Sequence, residues 1–242
     1  MSRAVREKGI ARRVEAVDWR QVSSDLDAEG NAVIKGILTS DECDEMRQLY
    51  DKDELFRSHV VMERHGFGRG EYRYFSYPLP DLITCLRKEF YPHLVTIANR
   101  WNEAMGIHTN FPPTHAEYLQ QCHKAGQNKP TPLILKYGPN DYNCLHQDLY
   151  GEHIFPLQIA VLLSQPEKDF TGGEFVMTEQ RPRMQSRPIV VPLQKGDGVV
   201  FAVHHRPVQG KKSVYRVNLR HGVSRLRSGN RYTLGIIFHD AK

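Results

Sequence analysis

The sequence predicts an α+β fold in which helices from the first half pack on the outside of a double-sheet jelly roll. Three observations predict it. Apolar residues recur at helical steps of three and four only upstream of residue 131. From Thr131 the pattern changes to short extended runs separated by Gly, Pro, Asn and Asp clusters. No helical pattern stands between those runs, as a parallel α/β sheet would require.

Val14 to Leu26 reads as a short helix after a basic leader, and Ala32 to Leu38 as a first strand. Thr39-Ser40-Asp41-Glu42 supplies cap chemistry for a helix through about Tyr50. Leu55 to Met62 and Tyr72 to Tyr77 form strands joined by the glycine-rich turn Gly66 to Gly70, which makes a hairpin. From Pro80-Asp81 a helix runs with Leu82, Leu86, Phe90, Leu94, Ile97, Trp101 and Met105 as its apolar stripe, with Pro92 expected to kink or divide it. Thr114 starts another short helix to Cys122. The jelly-roll runs are Leu133–Tyr137, Cys144–Asp148, Pro156–Leu163, Gly173–Thr178, Ile189–Pro192, Gly198–Val203, Ser213–Leu219 and Arg231–His239. Residues 1–242 are expected to form one domain, with 1–130 a mainly helical support and 131–242 the jelly roll.

Composition bounds the function. Hydrophobic residues at 40% and aromatics at 10% describe a globular chain, and the apolar runs are too short for a membrane span. The N-terminal stretch lacks the apolar core and cleavage site of a signal peptide, so a cytoplasmic location is expected. Cys43, Cys85, Cys122 and Cys144 form no CxxC pair and read as core thiols, with Cys144 facing the same way as His146, two residues on. Net charge is +5, but its distribution is uneven: of 33 basic and 28 acidic residues, twelve and one lie in 181–231, leaving 21 and 27 elsewhere. That asymmetry points to a polyanion, nucleic acid first, or to a solvated basic face.

His146 and Asp148 stand two apart at the end of an extended run, the spacing that points both to one face. His221 lies further on, ten residues before Arg231. Two imidazoles and a carboxylate converging on one point are the ligand set of non-haem Fe(II), and the arginine's planar fork suits the carboxylate of a co-substrate. His204 and His205 are alternative third ligands, and His239 is a further spare; His221 is preferred because Arg231 follows it.

His146-Gln-Asp148, Gly172-Gly173-Glu174-Phe175, Pro192 to Phe201, His221 and Arg231 resemble, in order, the motifs of the 2-oxoglutarate and Fe(II)-dependent oxygenases, whose fold is a double-stranded β-helix. The resemblance implies that His146, Asp148 and His221 hold iron and that 131–242 is the catalytic part. It also implies that Arg231 binds 2-oxoglutarate, with Tyr137 and Thr233 beside it. The reaction implied uses O2 and couples decarboxylation to succinate and CO2 with attack on an unactivated C–H bond, with ascorbate as an accessory reductant. The carboxy-terminal pattern looks like a bacterial oxygenase family classed with enzymes that demethylate damaged nucleic acid. HQD and its upstream tyrosine are similar to the AlkB-type demethylases, though Leu135 and Ile237 stand where those enzymes have Asn and Arg. The ten-residue His-to-Arg interval is like that of prolyl hydroxylases. The implied function is oxidative demethylation of alkylated nucleic acid, single-stranded or damaged, bound through 181–231; the alternative is hydroxylation of a peptidyl proline or free amino acid. Tyr72, Tyr74, Phe75 and Tyr77, interleaved with Arg69 and Arg73, make the hairpin Phe67–Tyr77 a candidate lid or a half-buried strand.

Overall fold

A computed structural model describes residues 3–149 and 151–242. In place of one helix across Val14–Leu26 there are two, α1 (Arg3–Glu15) and α2 (Trp19–Glu29). The Asp18 carboxylate accepts the N–H groups of Arg20 and Gln21, and this cap starts a new helix rather than letting the first continue. The first strand, β1 (Asn31–Ile34), is shorter than expected because the chain turns at Gly36, whose φ is +59°. Next comes α3 (Ser40–Leu49), opened by a reciprocal Thr39–Glu42 capping box.

The strands β2 (Phe56–Val61), β3 (Gly68–Arg69) and β4 (Glu71–Phe75) precede α4 (Asp81–Ala104), a single helix that runs through Pro92 without being divided. Leu86, Phe90, Leu94 and Trp101 on α4 are all buried, as their spacing predicts. Then α5 (His115–Lys124) has its own capping box, Thr114–Glu117. The remaining elements are strands: β5 (Leu133–Tyr137), β6 (Tyr142–His146), β7 (Leu157–Leu162), β8 (Phe170–Gly172), β9 (Phe175–Gln180), β10 (Arg187–Val191), β11 (Gly198–Ala202), β12 (His205–Gln209), β13 (Val214–Val223), β14 (Leu226–Gly229) and β15 (Arg231–Ile236).

Two antiparallel sheets face each other. The larger has the order β1-β11-β7-β15-β5-β4-β2, the smaller β10-β9-β13-β6-β3, with β12 paired to β13. The expectation that jelly-roll strands begin near Thr131 is corrected, since β1, β2 and β4 extend the larger sheet and β3 the smaller. The aromatic segment is therefore not a free-standing hairpin: β4 is sandwiched between β2 and β5, while Gly68-Arg69 crosses to pair with β6. Along β15 the alternation divides the roles of side chains, with Leu234 and Ile236 buried on the helix side and Arg231, Thr233 and Gly235 turned between the sheets. Buried Arg87 of α4 ties that helix to the end of β15, bonding the Phe238 carbonyl at 2.9 Å and Asp240 at 3.0 Å. No helix among the described residues is long and apolar enough to cross a membrane.

Candidate metal centre and co-substrate cleft

Between the sheets lies a cleft lined by residues of both. One wall is built by register. Arg231 lies opposite Tyr137, Thr233 opposite Leu135 and Gly235 opposite Leu133; Tyr72 and Tyr74 then lie beside Leu135 and Leu133. The other wall comes from the smaller sheet, where His221 lies opposite His146 on one side and Met177 on the other.

His146, Asp148 and His221 come together there, with one donor atom from each within 4.8 Å of the others. The Asp148 oxygens stand 3.4 Å from Nε2 of His146 and 3.4 Å from Nε2 of His221. Facial ligands about 2.1 Å from a common ion are themselves about 3 Å apart, so a small contraction would close the set. Nδ1 of His146 is 2.8 Å from the Cys144 carbonyl, which accepts the Nδ1 proton and aims Nε2 inward. His221 is clamped by Phe201 at 4.6 Å and Phe175 at 6.0 Å between ring centroids. Burial alone would raise the Asp148 carboxyl, but hydrogen bonds from both histidines hold it well below its usual range. The same burial, with the charge of His146, lowers His221; His146 is raised because the bond to Asp148 and its charge together outweigh desolvation. An ionised carboxylate and two imidazole nitrogens on one point suit a divalent metal.

The route by which the ligands meet differs from simple two-residue alternation. Asp148 lies beyond the end of β6, and a bulge separates the pairs His221–His146 and Val223–Asn143. The bulge shifts the inward position to Asn143, which lines the cleft and donates to the Tyr137 hydroxyl at 3.3 Å. Cys144 is consequently exposed and does not line the cleft; Cys43, Cys85 and Cys122 are buried.

Arg231 is 1% exposed and, among the described residues, enters no ion pair. It donates to Thr233 Oγ1 at 2.6 Å, its Nε has no partner, and burial pushes its pKa down to about 10. A buried unpaired cation is costly unless a ligand anion completes it. The Gly172-Gly173 pair makes room for it: both glycines have positive φ, and a Cβ on Gly173 would come within 2.3 Å of Leu226 and 3.2 Å of the Arg231 stem.

His204 and His205 lie elsewhere, on a groove with His153 and Tyr118, and His239 is buried with Nδ1 accepting from the Phe155 N–H at 3.2 Å. Part of the basic tract is neutralised by acids that lie outside it. Lys195 pairs with Asp44, Arg187 with Glu29, Arg181 with Glu179, and Arg206 is buried against Glu179. Arg216 and Arg220 alternate with His221 on β13 and so face outward. Lys211 and Lys212 precede β13, whose first residue, Val214, is about 23 Å from His221 at 3.3 Å per residue. Acids outside the tract and strand alternation, neither visible in a charge count, decide which of its cations are paired and which face outward. Reading the sequence did not assign Asn143, Phe175, Phe201 or Gln158 to the cleft; Phe175 and Phe201 end motifs quoted above, and Gln158 stands out as the one polar residue in the apolar run Leu157–Leu162.

The fold is like that of Fe(II)- and 2-oxoglutarate-dependent oxygenases, and the cleft brings together a trio suited to a divalent metal. The profile of the family described as "Oxygenase, catalysing oxidative methylation of damaged DNA" matches residues 70–241, and the chain belongs to that family. An uncharacterized protein of Mycobacterium tuberculosis is 48% identical over 167 residues, covering 69% of this chain and 72% of its own. Among solved structures, a 2OG-Fe(II) oxygenase family oxidoreductase from Burkholderia pseudomallei is similar at TM-score 0.55 and 13% identity, covering 93% of each chain. A Trichoplax adhaerens prolyl hydroxylase in complex with a hypoxia inducible factor peptide is similar at TM-score 0.55 and 13% identity, covering 95% of this chain and 91% of its own. These structural likenesses concern the fold.

Proposed function

We propose that this oxygenase oxidatively demethylates alkylated nucleic acid, with His146, Asp148 and His221 as the iron ligands and Arg231 as the anchor of 2-oxoglutarate. The observation that carries the site assignment is the buried, unpaired Arg231 in one cleft with the converging trio. Family membership supports the substrate class.

Iron, when bound with 2-oxoglutarate and O2, supplies the oxidation of the methyl C–H bond, with ascorbate keeping the metal divalent. The protein's own groups orient and exclude. Nε2 of His146, Nε2 of His221 and the Asp148 carboxylate would hold the ion. Arg231 and Thr233 offer N–H and O–H donors to the far carboxylate, and Tyr137, oriented by Asn143, walls that end. Phe175 and Phe201 keep water from His221. Tyr72 and Tyr74, half-buried on the opposite wall, present aromatic faces to a flipped or single-stranded base.

A path for the strand is supported by the edge formed by β3 and β6. Phe67, stacked on His65 at 5.3 Å, is 48% exposed, and Tyr142 and Leu145 are 38% and 43% exposed. Exposed Arg64 and Arg69 flank His65 and Phe67 in sequence, and Arg69 lies opposite Tyr142. Aromatic platforms interleaved with cations are what a single strand needs.

The test is formaldehyde release from N-methylated single-stranded oligonucleotides, dependent on added Fe(II) and 2-oxoglutarate and abolished by His221→Ala. Demethylation balances as one 2-oxoglutarate and one O2 consumed per succinate, CO2 and formaldehyde. Succinate formed without formaldehyde on every methylated strand, but stimulated by a proline peptide, would sink the nucleic-acid reading.

A further inference from the structure

Gln158 is the residue in the cleft that the reading so far leaves unused. It interrupts the fully buried strand β7, is 4% exposed, and lines the cleft, yet its Nε2 has no hydrogen-bond partner. Which end of the amide is nitrogen is set by hydrogen bonding, and here no protein group decides it: among the described residues the side chain bonds to none. Its surroundings are apolar, including Ile159, Ala160, Phe201 and Ile237. A leucine would fill that space without leaving a polar group unpaired, so an amide retained there calls for a partner the chain does not supply.

Register narrows what that partner is. Because Gly235 pairs with Ala160 and Ile236 with Ile159, Gln158 lies level with Ile237, six residues along from Arg231 and about 20 Å away by strand length. The two cannot hold the same distal carboxylate. Gln158 instead lies opposite Phe201, the ring that packs at 4.6 Å on His221, and so flanks the metal centre on the side away from Arg231.

We propose that Gln158 is a specificity-determining residue that hydrogen-bonds the primary substrate, and that the group presented to the metal carries a matching donor-and-acceptor edge, as a nucleobase does. The carboxamide sets one donor and one acceptor side by side, the arrangement by which such side chains read base edges in pairs. The base identity rests on the nucleic-acid reading; the role of Gln158 rests on the cleft itself.

The experiment compares the full chain with Gln158→Leu and Gln158→Asn. Three quantities are measured: the melting temperature without metal, 2-oxoglutarate affinity in the presence of Mn(II), and the KM and kcat for formaldehyde release from N-methylated single-stranded oligonucleotides. For Gln158→Leu the melting temperature should not fall and 2-oxoglutarate affinity should stay within twofold, while KM for the oligonucleotide rises about tenfold, the loss of one hydrogen bond at the upper end of its usual worth. Gln158→Asn, with the same amide one carbon shorter, should fall between the two. A melting temperature lowered by several degrees would make Gln158 a structural residue, and tenfold weaker 2-oxoglutarate binding would make it a co-substrate ligand; either overturns the proposal. So does an active parent whose Gln158→Leu variant has the same KM. A parent inert on every methylated oligonucleotide overturns the nucleic-acid reading instead, and with it the base edge assigned to Gln158.

Discussion

Replacing Gly222 by alanine should loosen the metal centre without touching a ligand. Gly222 follows His221 on β13 and faces the bulge of β6; a Cβ there would lie 2.6 Å from the Asn143 oxygen, 3.2 Å from the Cys144 oxygen and 3.3 Å from the Cys144 carbonyl carbon. Ordinary contact begins at 3.4 Å, so the β6 backbone must retreat by about 0.8 Å at Asn143. His146 is three residues further on, and the carbonyl that orients its ring belongs to Cys144. Functional groups need placing within about 0.5 Å, so the shift exceeds what the ligand set tolerates. Overpacking of this kind costs about 1–3 kcal/mol, which in a chain of this size lowers the melting temperature by roughly 2–4 °C per kcal/mol. Disturbing groups that orient ligands weakens metal binding on the order of 10–100-fold. Mn(II) titration by calorimetry and a melting curve measure both, with Gly9→Ala as control, since its Cβ would lie 3.7 Å from the nearest side chain in α1. A Gly222→Ala protein that binds Mn(II) within twofold of the parent and melts within 1 °C would refute the claim that the bulge sets the ligands, the tolerance being about that of the measurement.

Three further outcomes are expected. Arg231→Lys keeps the charge but loses the fork, and should weaken 2-oxoglutarate binding by about 1.5–3 kcal/mol, roughly 10–150-fold; calorimetry showing less than a twofold change would remove Arg231 from the role proposed. Burial, then the nearby Arg87, push the His115 imidazole down to about 3, so the folded protein keeps it neutral while the unfolded chain takes a proton below its ordinary 6.5. Its contribution is therefore constant above pH 6.5 and becomes increasingly unfavourable as pH falls from there toward 3, by about 2 kcal/mol between pH 7 and 5. His115→Gln keeps a donor for the Phe238 carbonyl, which His115 Nε2 meets at 2.9 Å, and urea unfolding at the two pH values should show a correspondingly smaller loss. Residues 1–242 are proposed to be one cooperative unit, and thermal unfolding should show one transition reported alike by helix and strand signals; two separated transitions would divide the chain.

Legibility in the sequence followed how local the cause was. β5 lies where its apolar run places it, and α5 starts where Thr114 and Glu117 put a cap, because alternation and capping are written within a few residues. The ligand set and Arg231 were readable as residue types in order, although the local route was not: the bulge that trades Cys144 for Asn143 is made by pairing with Gly222, some eighty residues away. β12 was missed because His205-Arg-Pro-Val-Gln209 is a poor strand pattern held by its pairing with β13. The charge count of the basic tract leaves out the partners Glu29, Asp44 and Glu179, which lie outside it.

The position of β15 also shapes how the protein is made. It follows every other strand of the larger sheet in chain order, yet it lies in the middle of that sheet, between β7 and β5. Until residues 231–236 have left the ribosome, β7 with its neighbours and β5 with its neighbours each present a bare edge of unpaired N–H and C=O groups, the kind of surface that recruits other chains. The same six residues carry Arg231 and Thr233, so the larger sheet is most prone to recruit other chains throughout the interval before the cleft exists, and chaperone demand should peak just ahead of β15.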